Sequence, residues 1–239
     1  MAATPTLEDL RAALAEGAPP PPGAAGVQGD LRLDRAAPGD WAGLTACAGI
    51  EGLFLNRARI ADAAPLAGLT GLRRLSLKLT KIADIAPLAG LTRLESLILS
   101  LTPVADIRPL AGLRALESLY LTGTLIDDMA PVAGLPRLWR LDLGATGVAD
   151  ISPLAGLAEL RSLELCDTPV SDLRPLAGLR KLEVLDLGHT KVEDLSPLAG
   201  VASLRRLDIR GAPATDVSML PPGCEIVSAE TYRRARRGR

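Results

Sequence analysis

The apolar positions of this chain fall into one pattern that returns every 22 residues. Its fullest copy runs from Leu160 to Leu179 as Leu-x-x-Leu-x-Leu-x-x-Thr-x-Val-x-Asp-Leu-x-Pro-Leu-Ala-Gly-Leu. The prolines mark the period at Pro65, Pro87, Pro109, Pro131, Pro153, Pro175 and Pro197, each preceded three residues earlier by an aspartate, from Asp62 to Asp194, with an echo at Asp216. A fixed period of this length means a solenoid, in which no unit buries its own apolar face and stacking makes the core continuous. Within a unit, Leu163 and Leu165 alternate with polar neighbours, which predicts a strand with one buried face, and Leu160 enters the same core. Stacked units therefore predict a parallel sheet.

The other positions predict the return path. A threonine column (Thr80, Thr102, Thr124, Thr146, Thr168, Thr190) follows the strands, where a buried hydroxyl bonds the backbone as the chain turns away. Val170 and Leu173 point back inward, and Pro175 presets φ for a short helical turn whose first amide has no partner to lose. Asp172 accepts amides of that turn. A unit this short has no room for a strand and a full crossover helix, so the convex side is predicted to be 3₁₀ or single-turn pieces.

Outside the regular units the chain divides as follows. Residues 1–17 predict a short amphipathic helix, with Thr6 as N-cap, Asp9 three residues on, Leu7, Leu10 and Leu14 on one face, and Gly17 as stop. It is either a lid on the open end of the solenoid or a partner-binding or export element. Residues 18–30 form a Pro/Gly-rich linker stiffened by Pro19 to Pro22. The solenoid spans 31–222, its first units degenerate, since Leu31 and Leu33 lie one period before Leu53 and Leu55. Residues 223–239 hold a last capping strand at 224–227 and a basic tail.

The repeat resembles the 22-residue leucine-rich repeats of bacterial internalins and of a eukaryotic phosphatase-1 regulator, down to the Asp-Ile-x-Pro-Leu segment. That resemblance covers roughly residues 31–222 and implies an α/β leucine-rich repeat solenoid: a curved right-handed coil with a parallel sheet on the concave face and short turns on the convex one. It also implies a protein-interaction scaffold. The family's usual asparagine column is threonine here. Internalins are exported and surface-anchored, and neither an apolar signal segment nor a wall-sorting segment is seen, so adhesion is not carried over.

Composition adds three points. Of 239 residues 48% are hydrophobic but only 2% aromatic, so the core is aliphatic and the placement of each aromatic side chain is informative. The net charge of −1 conceals an asymmetry: the tail holds Arg233, Arg234, Arg236, Arg237 and Arg239, which leaves 22 of the 27 basic residues against 28 acidic ones in the body. Cys47, Cys166 and Cys224 are odd in number and far apart, which fits a reducing compartment, and no apolar run is long enough to span a membrane. The expectation is a cytoplasmic monomer without cofactor or metal.

Candidate chemistry lies on the solvent-facing strand positions. Between the inward leucines, one column reads Arg32, Phe54, Ser76, Ile98, Tyr120, Asp142, Glu164, Asp186, Asp208. Its first half offers Phe54, Ile98 and Tyr120, with Leu79, Leu101 and Trp139 nearby, and its second half is four carboxylates at strand spacing, which repel one another. A protein or peptide with apolar and basic residues would satisfy both halves. Arg140, Arg205, Arg206 and Arg210 flank the stripe and offer internal neutralisation instead. The tail admits a second function, an adaptor that binds nucleic acid or acidic membrane through arginine–phosphate contacts, and it could equally be a solvated segment or a tethered ligand for the stripe. The one histidine, His189, sits a coil beyond Cys166 and Asp167, but nothing supplies an oxyanion hole or a pocket, and no enzyme is expected.

Overall fold

A computed structural model describes residues 5–36 and 41–228. Ten strands form one parallel sheet in chain order: β1 (Gly29–Arg32), β2 (Ile50–Phe54), β3 (Arg74–Ser76), β4 (Ser96–Ile98), β5 (Ser118–Tyr120), β6 (Arg140–Asp142), β7 (Ser162–Glu164), β8 (Val184–Asp186), β9 (Arg206–Asp208) and β10 (Glu225–Val227). From β2 to β9 the register advances by one period per strand, so Leu53, Leu75, Leu97, Leu119, Leu141, Leu163, Leu185 and Leu207 are consecutive partners. The solenoid predicted from the period is therefore the fold. Between the strands the chain returns through short 3₁₀ turns, and seven of these, from Ala64–Leu66 to Ser196–Gly200, carry proline in their first two positions.

The core is one aliphatic column. In the coil that starts at Leu160, the side chains of Leu160, Leu163, Leu165, Val170, Leu173, Leu176 and Leu179 are all buried. Each contributes ~1.5–3 kcal/mol as an upper bound, which the entropy of ordering some twenty residues largely offsets. A single coil is thus unstable, and neighbours on both faces are required.

Two polar devices hold each coil to its shape. The aspartate ahead of each proline accepts an amide two residues on, as in Asp62 to Ala64, Asp150 to Ser152 and Asp194 to Ser196, all at 2.8 Å. The threonines close the turn that ends each strand from β3 to β8. Thr80 Oγ1 donates to the carbonyl of Leu77 at 2.8 Å and its own amide reaches the same oxygen at 3.2 Å. The same hydroxyl bond recurs from Thr102 to Leu99, Thr124 to Leu121, Thr146 to Leu143, Thr168 to Leu165 and Thr190 to Leu187. At Thr80, Thr124 and Thr190, where the threonine amide reaches the same oxygen, one carbonyl with two lone pairs satisfies two donors.

The residue before each threonine, or before the alanine that replaces it at Ala36, Ala58 and Ala212, bears the cost of that turn. Arg35, Arg57, Leu79, Leu101, Ala145, Asp167 and His189 all have φ between 52° and 61°, and Gly123 (66°) and Gly211 (75°) occupy the same row. Left-handed backbone in a residue with a Cβ costs on the order of 1–3 kcal/mol. It persists because the amides are committed: Leu79 N–H donates to Ser100, Leu101 to Thr122 and Asp167 to Gly188, each one coil further on. At Gly123 glycine has a second reason, since a Cβ there would lie 2.7 Å from the Cδ2 of Leu101.

The first coils are covered by α1 (Leu7–Ala15), whose capping box joins Thr6 and Asp9 reciprocally. Leu10 and Leu14 are buried in the same core cluster as Val27, Leu31 and Leu44. The stretch 18–30, expected as a stiff linker, also enters the core through Ala24 and Val27. Pro20 lies against the body too, because a Cβ at Gly43 would come within 3.0 Å of it. At the far end β10 pairs in parallel with β9, with Val227 beside Asp208.

Two stability changes follow from the turn. Thr146→Val removes the hydroxyl that the Leu143 carbonyl accepts and is expected to cost about 1 kcal/mol, read as a lower urea midpoint with unchanged slope. Ala145→Gly, at an exposed position with φ of 52°, is expected to stabilise by up to about 1 kcal/mol, and a lower midpoint would refute the strain argument.

Candidate functional site

Strand alternation presents three side chains per coil to solvent, and register aligns them into columns. The central column is continuous from Arg32 through Phe54, Ser76, Ile98, Tyr120, Asp142, Glu164 and Asp186 to Asp208. All eight residues singled out from the sequence lie on this face or at its rim: Phe54, Ile98, Tyr120, Asp142, Glu164, Asp186 and Asp208 in the column, and Trp139 at the strand entrance. Phe54, Ile98, Tyr120, Asp142, Glu164 and Asp186 are half-buried, Asp208 is buried, and Trp139 is 39% exposed.

The first half of the face is apolar and partly stacked. Arg32 lies 4.1 Å over the Phe54 ring, and Arg140 lies 5.3 Å from the centre of the Tyr120 ring. Along the strand entrances a ladder of charges pairs Arg73 with Glu95, and Arg161 and Arg205 with Glu183. Trp139 interrupts this ladder. Its backbone joins Glu117 on one side and Arg161 on the other.

The second half is the carboxylate run. Asp142 accepts the Thr122 hydroxyl at 2.6 Å and the Gly144 amide at 3.0 Å, and Asp186 accepts the Gly188 amide at 2.8 Å. Glu164 bonds Arg140 at 2.9 Å, and Asp208 bonds Arg210 at 2.6 Å. The other two flanking arginines turn elsewhere, Arg205 to Glu183 and Arg206 to Glu225. Internal neutralisation is therefore half of what the sequence allowed.

Burial and like charge leave a mark on the middle pair. The Glu164 carboxyl is held above its ordinary range chiefly by burial and then by Asp142, although Arg140 opposes this. Asp186 is raised for the same first reason, against the Gly188 amide and with Asp208 adding to the rise. These ionised groups are thus destabilised where they stand.

The Cys/His arrangement gives no nucleophile. Burial and the carboxylates around it, Asp186 foremost, push the Cys166 thiol up to about 11, so it stays protonated at neutral pH. His189 lies against Gly211, where a Cβ would meet its ring at 2.3 Å. Among the described residues no group of three or more His, Cys, Asp or Glu could hold a metal ion, and no helix is long and apolar enough to cross a membrane. The tail arginines, Arg233, Arg234, Arg236, Arg237 and Arg239, lie outside the described residues.

What the sequence reading missed is the row of left-handed residues at the strand exits, with Leu79 38% and Leu101 48% exposed. The signal available for it was Gly123 and Gly211 recurring at the same position of the unit.

Comparison with known proteins agrees with this geometry. A family model for leucine-rich repeats, in two copies, matches residues 158–200. No curated protein matches the chain. Among solved structures, internalin C2 from Listeria monocytogenes is 32% identical, with a TM-score of 0.70, covering 76% of this chain and 80% of its own. An internalin (inlF) from the same species gives 23% identity and a TM-score of 0.70 over 89% of this chain and 77% of its own. The plant peptide hormone receptor RGFR1, solved in complex with RGF2, shares the fold at 16% identity and a TM-score of 0.62, over 77% of this chain and 30% of the receptor. With that identity to internalin C2 over most of both chains, and with this coil, the chain belongs to the internalin-like leucine-rich repeat family.

Proposed function

We propose that the chain is a protein-interaction scaffold that binds a protein or peptide on the solvent-facing, concave side of its sheet. The observation that carries this reading is the run of carboxylates from Asp142 to Asp208, whose middle members, Glu164 and Asp186, are kept ionisable in a half-buried setting at a cost to the fold. A surface with no ligand has no reason to keep like charges in adjacent strands. A basic partner removes the repulsion. The aromatic and aliphatic side chains beside the run, Tyr120 and Ile98 in the column and Trp139 at the rim, supply the apolar anchor that interaction hot spots use. That RGFR1, a protein of the same fold, is solved with RGF2 adds support for a peptide ligand.

The double charge reversal Glu164→Lys/Asp186→Lys tests the reading directly. A pull-down from lysate, read by mass spectrometry, is expected to lose a specific protein relative to wild type, and an unchanged profile would sink the proposal.

A second measurement separates binding from stability. Asp186→Asn keeps the acceptor for Gly188 and removes the charge. Because the folded carboxyl titrates above its ordinary 3.8, the folded state holds its proton more tightly than the unfolded one. The wild type is therefore penalised at pH 7, and the penalty vanishes below the ordinary aspartate range. Asp186→Asn is expected to raise the denaturation midpoint at pH 7, to match wild type near pH 3, and to bind the partner more weakly.

A further inference from the structure

The row at the strand exits carries information that the turn does not require. Its backbone is left-handed in every coil, and Gly123 and Gly211 show the residue that suits it. Four coils in the first half nevertheless place Arg35, Arg57, Leu79 and Leu101 there. Core packing does not explain them, since all four are exposed, and backbone preference opposes them. The same strain recurs at Ala145, Asp167 and His189, so what sets the first half apart is the exposed side chains it carries there, two cations followed by two leucines.

Charge supports the same conclusion. Nearby cations are used internally: Arg74 pairs with Asp30 at 2.7 Å, Arg73 with Glu95, and Arg32 stacks on Phe54. Arg35, Arg57 and the adjacent Lys78 make no ion pair among the described residues. The acid closest in sequence, Asp34, accepts the Asn56 amide at 2.9 Å. Further along, the row changes sign at Asp167, one coil after the central column does so at Asp142. The exit row thus places its cations and then its apolar side chains in the first coils and a single acid, Asp167, beyond them, in the same sense as the central column, whose carboxylates fill the later strands.

We propose that this row is a second wall of the binding face, and that the partner is an extended segment whose side chains run acidic, apolar and basic from β1 towards β9. The inference rests on the scaffold reading above and adds the acidic end, with Arg35, Arg57 and Lys78 receiving carboxylates and Leu79 and Leu101 receiving the apolar centre. Eight strand spacings of ~4.8 Å come to ~38 Å, which an extended peptide covers with about 12 residues.

The test uses random peptides of about that length, displayed on phage and selected on the full-length chain, with binding then measured on the enriched peptides. Wild type is expected to enrich peptides with an acidic cluster on one side of an apolar centre and a basic cluster on the other. Arg57→Glu/Lys78→Glu is expected to weaken these about tenfold and to select peptides basic on both sides. If the enriched peptides lack acids and ignore that variant but are lost on Glu164→Lys/Asp186→Lys, the second wall is refuted and the scaffold reading stands. No enrichment, or indifference to both variants, refutes both. The two ends of the face also complement a second, antiparallel copy of the chain. Dimerisation of wild type in sedimentation, abolished by Arg57→Glu/Lys78→Glu, would overturn the assignment in favour of that copy.

Discussion

Everything in this fold depends on how the chain leaves each strand. From β3 to β8 the carbonyl at the strand's end takes a threonine hydroxyl, and in coils such as that of Thr80 the threonine amide as well, while the residue before it, like Arg35 and Arg57 ahead of alanine, is held at positive φ so that its own amide reaches the next coil. That geometry turns the backbone inside a unit too short for a helix and sends Val or Ile back into the core two residues later. It also fixes the spacing of the coils, because the left-handed residue remains in the ladder although it lies outside the strand.

The face above this scaffold is organised by sign as well as by shape. Aromatic and aliphatic side chains occupy the centre of the sheet, and carboxylates the later strands. On this face Arg32, Arg73 and Arg74 of the first coils are paired or stacked, whereas Arg35, Arg57 and Lys78 make no ion pair among the described residues. The raised Glu164 and Asp186 show that the arrangement is not the most stable one available to the fold. Stability has been given up at a surface where packing would not demand it.

Much of this was legible in the sequence because a 22-residue period converts each residue into a column address. The strands, the threonine hydroxyls, the aspartate turns and the proline-led 3₁₀ pieces all followed from position in the unit, since each is a local device repeated with local chemistry. The central column followed too. The exit row did not, because φ is invisible in Arg, Leu, Asp or His, and only two glycines among nine positions signal it. Nor could the sequence say which flanking arginines turn towards the carboxylates. Arg140 reaches Glu164 and Arg210 reaches Asp208, but Arg205 and Arg206 have competing acids at Glu183 and Glu225. The 18–30 stretch was misleading for a simpler reason: proline and glycine content reports stiffness and turn preference, whereas Ala24 and Val27 are buried by the neighbours they happen to meet.

The Asp30 carboxylate offers a different kind of consequence. It reaches Arg74 by passing over Gly52, where a Cβ would lie 2.1 Å from its oxygen. Most polar side-chain contacts along this sheet join one coil to the next, and coils of that kind can be duplicated or deleted in whole units without disturbing what remains. This bridge spans two coils at once and depends on a glycine between them. The first three coils are therefore tied to one another as a block, whereas side-chain bridges between the carboxylate-bearing coils, such as Arg140 to Glu164, reach only the adjacent coil, so lengthening or shortening the anionic stripe by a whole coil would leave the bridge at the first end of the solenoid intact.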